Sequence, residues 1–226
     1  MKKQLKNITL LSYNPVDPIR SIKALLYSSR DIEFARMVLV SRTKPKELPD
    51  FIDFVHTNNT THQESSHFVY NSLPNIVDTE YMLSIHDDGF VINPHLWRDE
   101  FLDYDYIGAP WRELWMRNRV GNGGFVLKSN RFIQLTRNLT YLGKHEDGEL
   151  TNDYYDYFTA NGCRYAPVHV AMKFSIESRI PECEYNLNNC FGFHGRGNPK
   201  DVRVHDGFYH QFQEKCQLLD TVEIHP

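Results

Sequence analysis

The sequence has little cysteine and no paired cysteine motif. Its four cysteines, Cys163, Cys183, Cys190 and Cys216, form no C-x-x-C pair. That excludes a disulfide-dense secreted scaffold and a paired-thiol zinc or redox motif, and free thiols are the expectation. Long hydrophobic runs are also missing. The apolar stretch Ile8 to Leu11 is far shorter than a signal-peptide core, and no later segment approaches a membrane span, so the chain reads as cytoplasmic (host cytoplasm if viral) with no transmembrane segment. Charge of one sign is scarce too: 25 Lys and Arg against 29 Asp and Glu give a net charge of −4 with no long basic run. Such a balance offers no electrostatic footprint for nucleic acid or anionic lipid. No P-loop and no G-x-G-x-x-G fingerprint is present. At 226 residues the chain is too short for two ordinary domains, and a single domain spanning 1–226 is expected.

What is present is apolar and aromatic material, 41% hydrophobic with 14 Phe, 13 Tyr and 3 Trp, enough for a core and for a sugar-binding cleft besides. Ile8 to Ser12 reads as a buried strand. Asp17-Pro18 reads as a helix cap with proline at the first helical position, followed by Ile19, Ile22, Leu25 and Leu26 at helical spacing. Met37 to Ser41 is a second strand, so the chain opens β-α-β, the start of a mainly parallel sheet. Tyr81 to Ile85 is a central strand running into His86-Asp87-Asp88-Gly89, and Phe125 to Leu127 a further one. Asn93-Pro94 opens a short helix ending near Phe101, and Thr151-Asn152-Asp153 begins a tyrosine-rich helix that Gly162 stops.

Ligand chemistry in open α/β sheets gathers at the carboxyl ends of strands, which singles out Asp87 and Asp88. Adjacent carboxylates there suit a hard divalent cation, although Asp-Gly is also an ordinary turn dipeptide. Gly121-Asn122-Gly123-Gly124 lets backbone approach a ligand closely or simply makes a tight turn. His194, within Phe191-Gly192-Phe193-His194-Gly195, is either a ligand or a structural histidine.

Five blocks in register carry a resemblance. They are His86 to Phe90, Phe101 to Trp111, Gly121 to Ser129, Val170 to Glu177 and Phe191 to Gly195. Together they resemble a family of small GT-A-like glycosyltransferases, largely uncharacterised, that includes a glycosyltransferase domain of large algal viruses. The resemblance implies a three-layer α/β GT-A fold with a mostly parallel central sheet. It also implies metal-dependent, inverting transfer of a sugar from a nucleoside-diphosphate donor to a glycan hydroxyl.

On this resemblance Mn²⁺ or Mg²⁺ would be held by Asp88 and by His194. The triplet His86-Asp87-Asp88 stands where the family has an acidic D-x-D-type motif, with histidine at the first acidic position. The donor would contact Ser12, Tyr13, His86 and Asp87, and the acceptor would lie above Gly123, Gly124 and Trp111. The family's Glu-Asp pair at the start of a late helix maps onto Asn152-Asp153, which makes Asp153 the expected general base, with Glu146-Asp147 as the upstream rival. Two other readings stand beside this one. A nucleotidyltransferase shares the topology but ordinarily carries a glycine-rich basic loop after the first strand, where this chain has Ser12-Tyr13-Asn14-Pro15-Val16. A non-catalytic nucleotide-sugar or glycan-binding module is suggested by the changes at His86 and Asn152.

Overall fold

The computed structural model describes residues 2–59, 61–182, 186–196 and 209–225. Cys183 lies outside them, and Cys163, Cys190 and Cys216 are free thiols. The first strand, β1 (Lys3–Tyr13), is longer than its apolar run, but the run explains its place. Ile8 to Leu11 are all buried because the strand is covered on both faces and flanked on both edges. In helix α1 (Pro18–Ser28) the Asp17 carboxylate accepts the Arg20 backbone N–H at 3.1 Å, and Ile22, Ala24 and Leu25 face inward. Strand β2 (Ile32–Ser41) returns parallel to β1, and β3 (Asp53–His56) lies parallel to β2.

Helices α2 (His62–Asn71) and α3 (Leu73–Ile76) lead to β4 (Tyr81–Ile85), which is parallel to β1 on its other edge. Strands β5 (Tyr106–Ile107) and β6 (Phe125–Ser129) complete the sheet in the order β3-β2-β1-β4-β6-β5. Both of their pairings are antiparallel, so the sheet is parallel on one side of β4 and antiparallel on the other. The segment opened by Asn93-Pro94 forms two 3₁₀ turns, Pro94–Leu96 and Asp99–Asp103, in place of one helix.

Alternation along the strands divides the core. Leu10, Leu83, Ile85, Phe125 and Leu127 pack on one face with α1, α7 (Val168–Phe174) and Phe212 of α8 (Tyr209–Gln217). Leu11, Val38, Val40, Met82 and Val126 pack on the other, under α2, α3, α4 (Asn130–Leu135) and α6 (Tyr155–Ala160). The result is a three-layer α/β structure with a six-stranded, mostly parallel central sheet. Much of the aromatic surplus goes into these cores, as in the stacked pair Phe132–Phe158 at 3.8 Å. Among the described residues no helix is long and apolar enough to cross a membrane.

Two buried carboxylates fix what surrounds the sheet. Glu149 accepts the Tyr70 hydroxyl at 2.7 Å and the backbone N–H groups of Leu142 and Lys144, tying α2 to the segment that carries α5 (Glu146–Gly148). Between α5 and α6 the chain makes a π-helical turn, Glu149–Asp153, so the regular helix begins at Tyr155 rather than at Thr151. Asp105 accepts Ser129 Oγ at 2.6 Å, Arg131 at 2.7 Å and the Arg164 N–H at 2.8 Å, joining β5 to the start of α4. Burial works to raise its pKa, but Arg131, Ser129 and the Arg164 N–H outweigh burial and hold it below the ordinary carboxylate value.

Asp105→Ala is therefore expected to cost about 2–3 kcal/mol of unfolding free energy in urea, because charged hydrogen bonds are lost and buried donors are left unmet. The folded-state pKa lies below the unfolded one. Its stabilisation is thus complete above the ordinary carboxylate pKa and is lost as pH falls through the folded value. A variant as stable as wild type, with the same acid sensitivity, would contradict this role.

Candidate active site

The carboxyl ends of β1 and β4 lie side by side, Ser12 opposite Ile85, and a cleft of about 420 Å³ opens above them. Beyond Ile85 the chain closes a tight turn, with the His86 N–H donating to the Gly89 carbonyl at 2.8 Å, and this turn presents Asp87 and Asp88. A second short sheet faces it: β7 (Ser175–Ile176) runs parallel to β8 (Gly192–Phe193). The backbone pairing then extends one residue, from the His194 N–H to the Ile176 carbonyl at 3.0 Å. The Gly195 N–H also donates to the Asp88 carbonyl at 2.7 Å. His194 is thereby delivered to the acidic turn.

Its ring fits because two neighbours lack side chains. A Cβ on Gly124 would lie 2.1 Å from His194 Nε2, and one on Gly89 would lie 2.9 Å from its Cδ2. Nδ1 of His194 is 3.2 Å from Glu177 Oε1, which leaves Nε2 directed toward Asp88, whose Oδ1 is 3.7 Å away. His86 stands edge-on to His194 with ring centroids 5.6 Å apart. One ligand atom from each of His86, Asp88 and His194 lies within 4.8 Å of the others, so the three could share a metal ion. The Glu177–His194 contact is the outer-shell arrangement that orients a metal-binding imidazole.

Burial opposes the charged form of His194, but Glu177, Asp88 and Asp147 outweigh it and raise the pKa. Burial likewise works to raise the Asp88 pKa and is outweighed by His194, His86 and Arg196, which hold it low. At Asp87 burial, followed by the Asp88 charge, prevails and the pKa rises despite Arg196 and Arg20. The Arg196 guanidinium spans the two carboxylates, 2.6 Å from Asp87 and 3.2 Å from Asp88.

The expected site residues are not all brought together. Tyr13, His86, Asp87, Asp88, Gly123 and His194 line the cleft. Ser12 sits at the right strand end, but its side chain is fully buried and the β1 wall is made by its neighbours Leu11 and Tyr13, since successive side chains alternate in direction. Gly124 serves as the seat of His194, and its N–H is taken by Asn122 Oδ1 at 3.0 Å. Trp111 packs over Gly121, where a Cβ would meet its ring at 2.4 Å, behind the cleft wall.

Asp153, at the end of the π-turn, does not line the cleft, and its carboxylate is held by Lys144 Nζ at 2.8 and 3.0 Å. Of the rival pair Glu146 lines the cleft, and Asp147 adjoins it, accepting the N–H of the lining residue Gly123 at 3.1 Å. Burial, then the Glu146 charge, pushes the Asp147 carboxyl up to about 6, against the lowering effect of the Gly148 and Gly123 N–H groups. Sequence reasoning gave no separate role to Glu177, Arg196, Phe68 or Lys128. The spacing Glu177 to His194 carries a signal only once β7 and β8 are known to pair.

The seating of His194 makes a direct prediction. Gly124→Ala places a methyl group in the ring's position, so the imidazole must leave Glu177, at an overpacking cost of about 1–3 kcal/mol. The His194 pKa, followed by NMR titration, is expected to fall toward the ordinary histidine value. An unchanged pKa would show that the ring is not held between these glycines.

Three solved structures share the architecture at low identity. Galactosyltransferase LgtC, in complex with donor and acceptor sugar analogs, is 12% identical with a TM-score of 0.53, covering 95% of this chain and 97% of its own. The apo-form glycosyltransferase GlyE of Streptococcus pneumoniae TIGR4 is 12% identical with a TM-score of 0.52 over 96% of this chain, which spans 60% of GlyE's length. A glycosyltransferase involved in the glycosylation of the major capsid of PBCV-1 is 15% identical with a TM-score of 0.51, covering 95% of this chain and 99% of its own. These likenesses are of fold, and the fold is the GT-A glycosyltransferase fold. No curated protein matches the sequence. Residues 46–194 match the family model described as "Protein of unknown function (DUF5672)", and the chain belongs to that family.

Proposed function

We propose that the chain is one catalytic domain that transfers a sugar from a nucleoside-diphosphate donor to a glycan hydroxyl, with the help of a divalent cation. The observation that carries the reading is the convergence of His86, Asp88 and His194 at the strand-end cleft of a GT-A fold, with Glu177 behind His194. Two imidazoles and one carboxylate fit Mn²⁺ better than Mg²⁺, which prefers an all-oxygen shell. When bound, the cation would neutralise the diphosphate as it departs.

The chain's own residues supply the rest. Tyr13, at the end of β1 and tilted at 35° against Phe68 with ring centroids 4.7 Å apart, offers an aromatic surface to the planar part of a nucleotide. Arg196 neutralises Asp87 and Asp88 in the free protein, and with a cation on Asp88 its guanidinium would be free to serve the diphosphate oxygens. We assign the general base to Asp147, not Asp153. An Asp147 pKa of about 6 lets the carboxylate be ionised at neutral pH while staying basic enough to take the acceptor's proton. Attack from the face opposite the leaving diphosphate would invert the anomeric centre. A nucleotidyltransferase gains no support from the loop after β1, which is not basic.

The test is transfer or hydrolysis across a panel of nucleotide sugars, with and without Mn²⁺, in wild type, Asp147→Asn and Asp153→Asn. Wild type is expected to need the cation, Asp147→Asn to lose about 10²–10⁴-fold in turnover with donor binding kept, and Asp153→Asn to stay near wild type. Equal turnover in wild type and Asp147→Asn would remove Asp147 as the base. A wild-type protein that turns over no donor with Mn²⁺ yet binds one would point to a binding module.

A further inference from the structure

One charged group in the cleft has no task in the account above. Lys128 is 3% exposed, the fourth residue of β6 and three positions inward from Phe125; Phe125 pairs with Ile85 and Lys128 with Met82. It nevertheless lines the cleft. Its ammonium lies 5.4 Å from the centre of the Tyr106 ring and feels the charges of Glu146 and Asp147 through space. Among the described residues no atom accepts a hydrogen bond from it. The ammonium has three donors and opens onto the cleft, and its neighbour in register, Met82, shows that an apolar side chain fits this floor. The missing acceptor is therefore sought in what fills the cleft.

Position says which part of a ligand that is. The metal-ligand cluster at His86, Asp88 and His194 stands beyond the end of β4, and Lys128 stands three residues, about 10 Å of strand, deeper. Between them lie Ser84, Gly123 and Glu146 as polar walls, with Phe68 and Leu73 of the helical layer above. A diphosphate fixed at the cluster would leave its sugar ring in this compartment, between the candidate base and Lys128.

Resting on the glycosyltransferase reading of the same cleft, we propose that Lys128 is a specificity-determining residue that donates a hydrogen bond to an oxygen of the transferred sugar, on the side of the ring away from the diphosphate. The oxygen is a hydroxyl or a carboxylate, both of which accept from an ammonium. Burial works against the charged form of Lys128 and lowers its pKa, while the charges of Glu146 and Asp147 act the other way and support the ammonium.

The experiment is calorimetric titration in the presence of Mn²⁺. UDP and GDP probe the diphosphate alone, and UDP-glucose, UDP-glucuronate and GDP-mannose probe the sugar. Wild type is expected to bind at least one nucleotide sugar more tightly than its parent diphosphate. Lys128→Met, checked as folded by its melting temperature, is expected to keep the diphosphate affinity and lose about tenfold of the sugar's added affinity. Lys128→Arg, which keeps N–H donors, should restore part of it. A wild-type preference for UDP-glucuronate over UDP-glucose identifies the acceptor as a carboxylate, and the reverse identifies a hydroxyl.

If Lys128→Met keeps the whole sugar increment, the inference is overturned, even if turnover falls. If wild type binds the diphosphates with Mn²⁺ but gains nothing from any sugar, the inference fails while the metal–diphosphate site stands. If wild type binds no nucleoside diphosphate at all, the glycosyltransferase reading fails and takes the inference with it.

Discussion

The site depends on one imidazole ring wedged between two glycines. His194 occupies space that a Cβ on Gly89 or Gly124 would fill, so the turn after β4, the loop before β6 and the strand β8 can meet only around that ring. Close packing leaves such an arrangement little freedom to adjust. Glu177 then sets which nitrogen faces Asp88, and the Gly195 N–H locks the following residue onto the Asp88 carbonyl. Backbone from three distant parts of the sequence is thus committed to a geometry whose centre is a histidine and a carboxylate.

Around that centre the charges are arranged in opposed groups. Asp87, Asp88 and Glu177 stand at one end of the cleft with His86, His194 and Arg196, and Glu146 and Asp147 stand at the other with Lys128. Opposite charges stand together at each end, which limits the cost of holding ionised groups in a cleft. The two ends differ in how firmly their cations are engaged. Arg196 already holds both aspartates, whereas the Lys128 ammonium donates to no described residue.

Much of the sheet was legible in the sequence, because buried strands announce themselves as apolar runs and caps as Asp-Pro. β1, β2, β4 and β6 lie where Ile8, Met37, Tyr81 and Phe125 begin such runs, and Asp17 caps α1 as its side chain suggests. The antiparallel direction of β6 left no local trace, since periodicity is the same in either direction. Asp88 and His194 were visible as residue types with a chemistry, and the glycines as a cluster. That Gly89 and Gly124 are there to admit a ring was not, because the contact spans most of the chain. Mapping the family's Glu-Asp pair onto the late helix favours Asp153, but the chain there makes a π-helical turn, Asp153 pairs with Lys144, and Asp147 accepts the N–H of the cleft residue Gly123.

The central claim is that His86, Asp88 and His194 form a cation site. The most direct measurement is the anomalous diffraction signal of crystals soaked in Mn²⁺ with a nucleoside diphosphate. The account predicts one strong peak within coordinating distance of Asp88 and the His194 Nε2, about 2.0–2.2 Å, with the diphosphate on its open side and Arg196 moved off Asp88. It also predicts loss of that peak in Asp88→Ala crystals. Diphosphate bound in the cleft with no ion at these residues, and Arg196 still bridging Asp87 and Asp88, would contradict it.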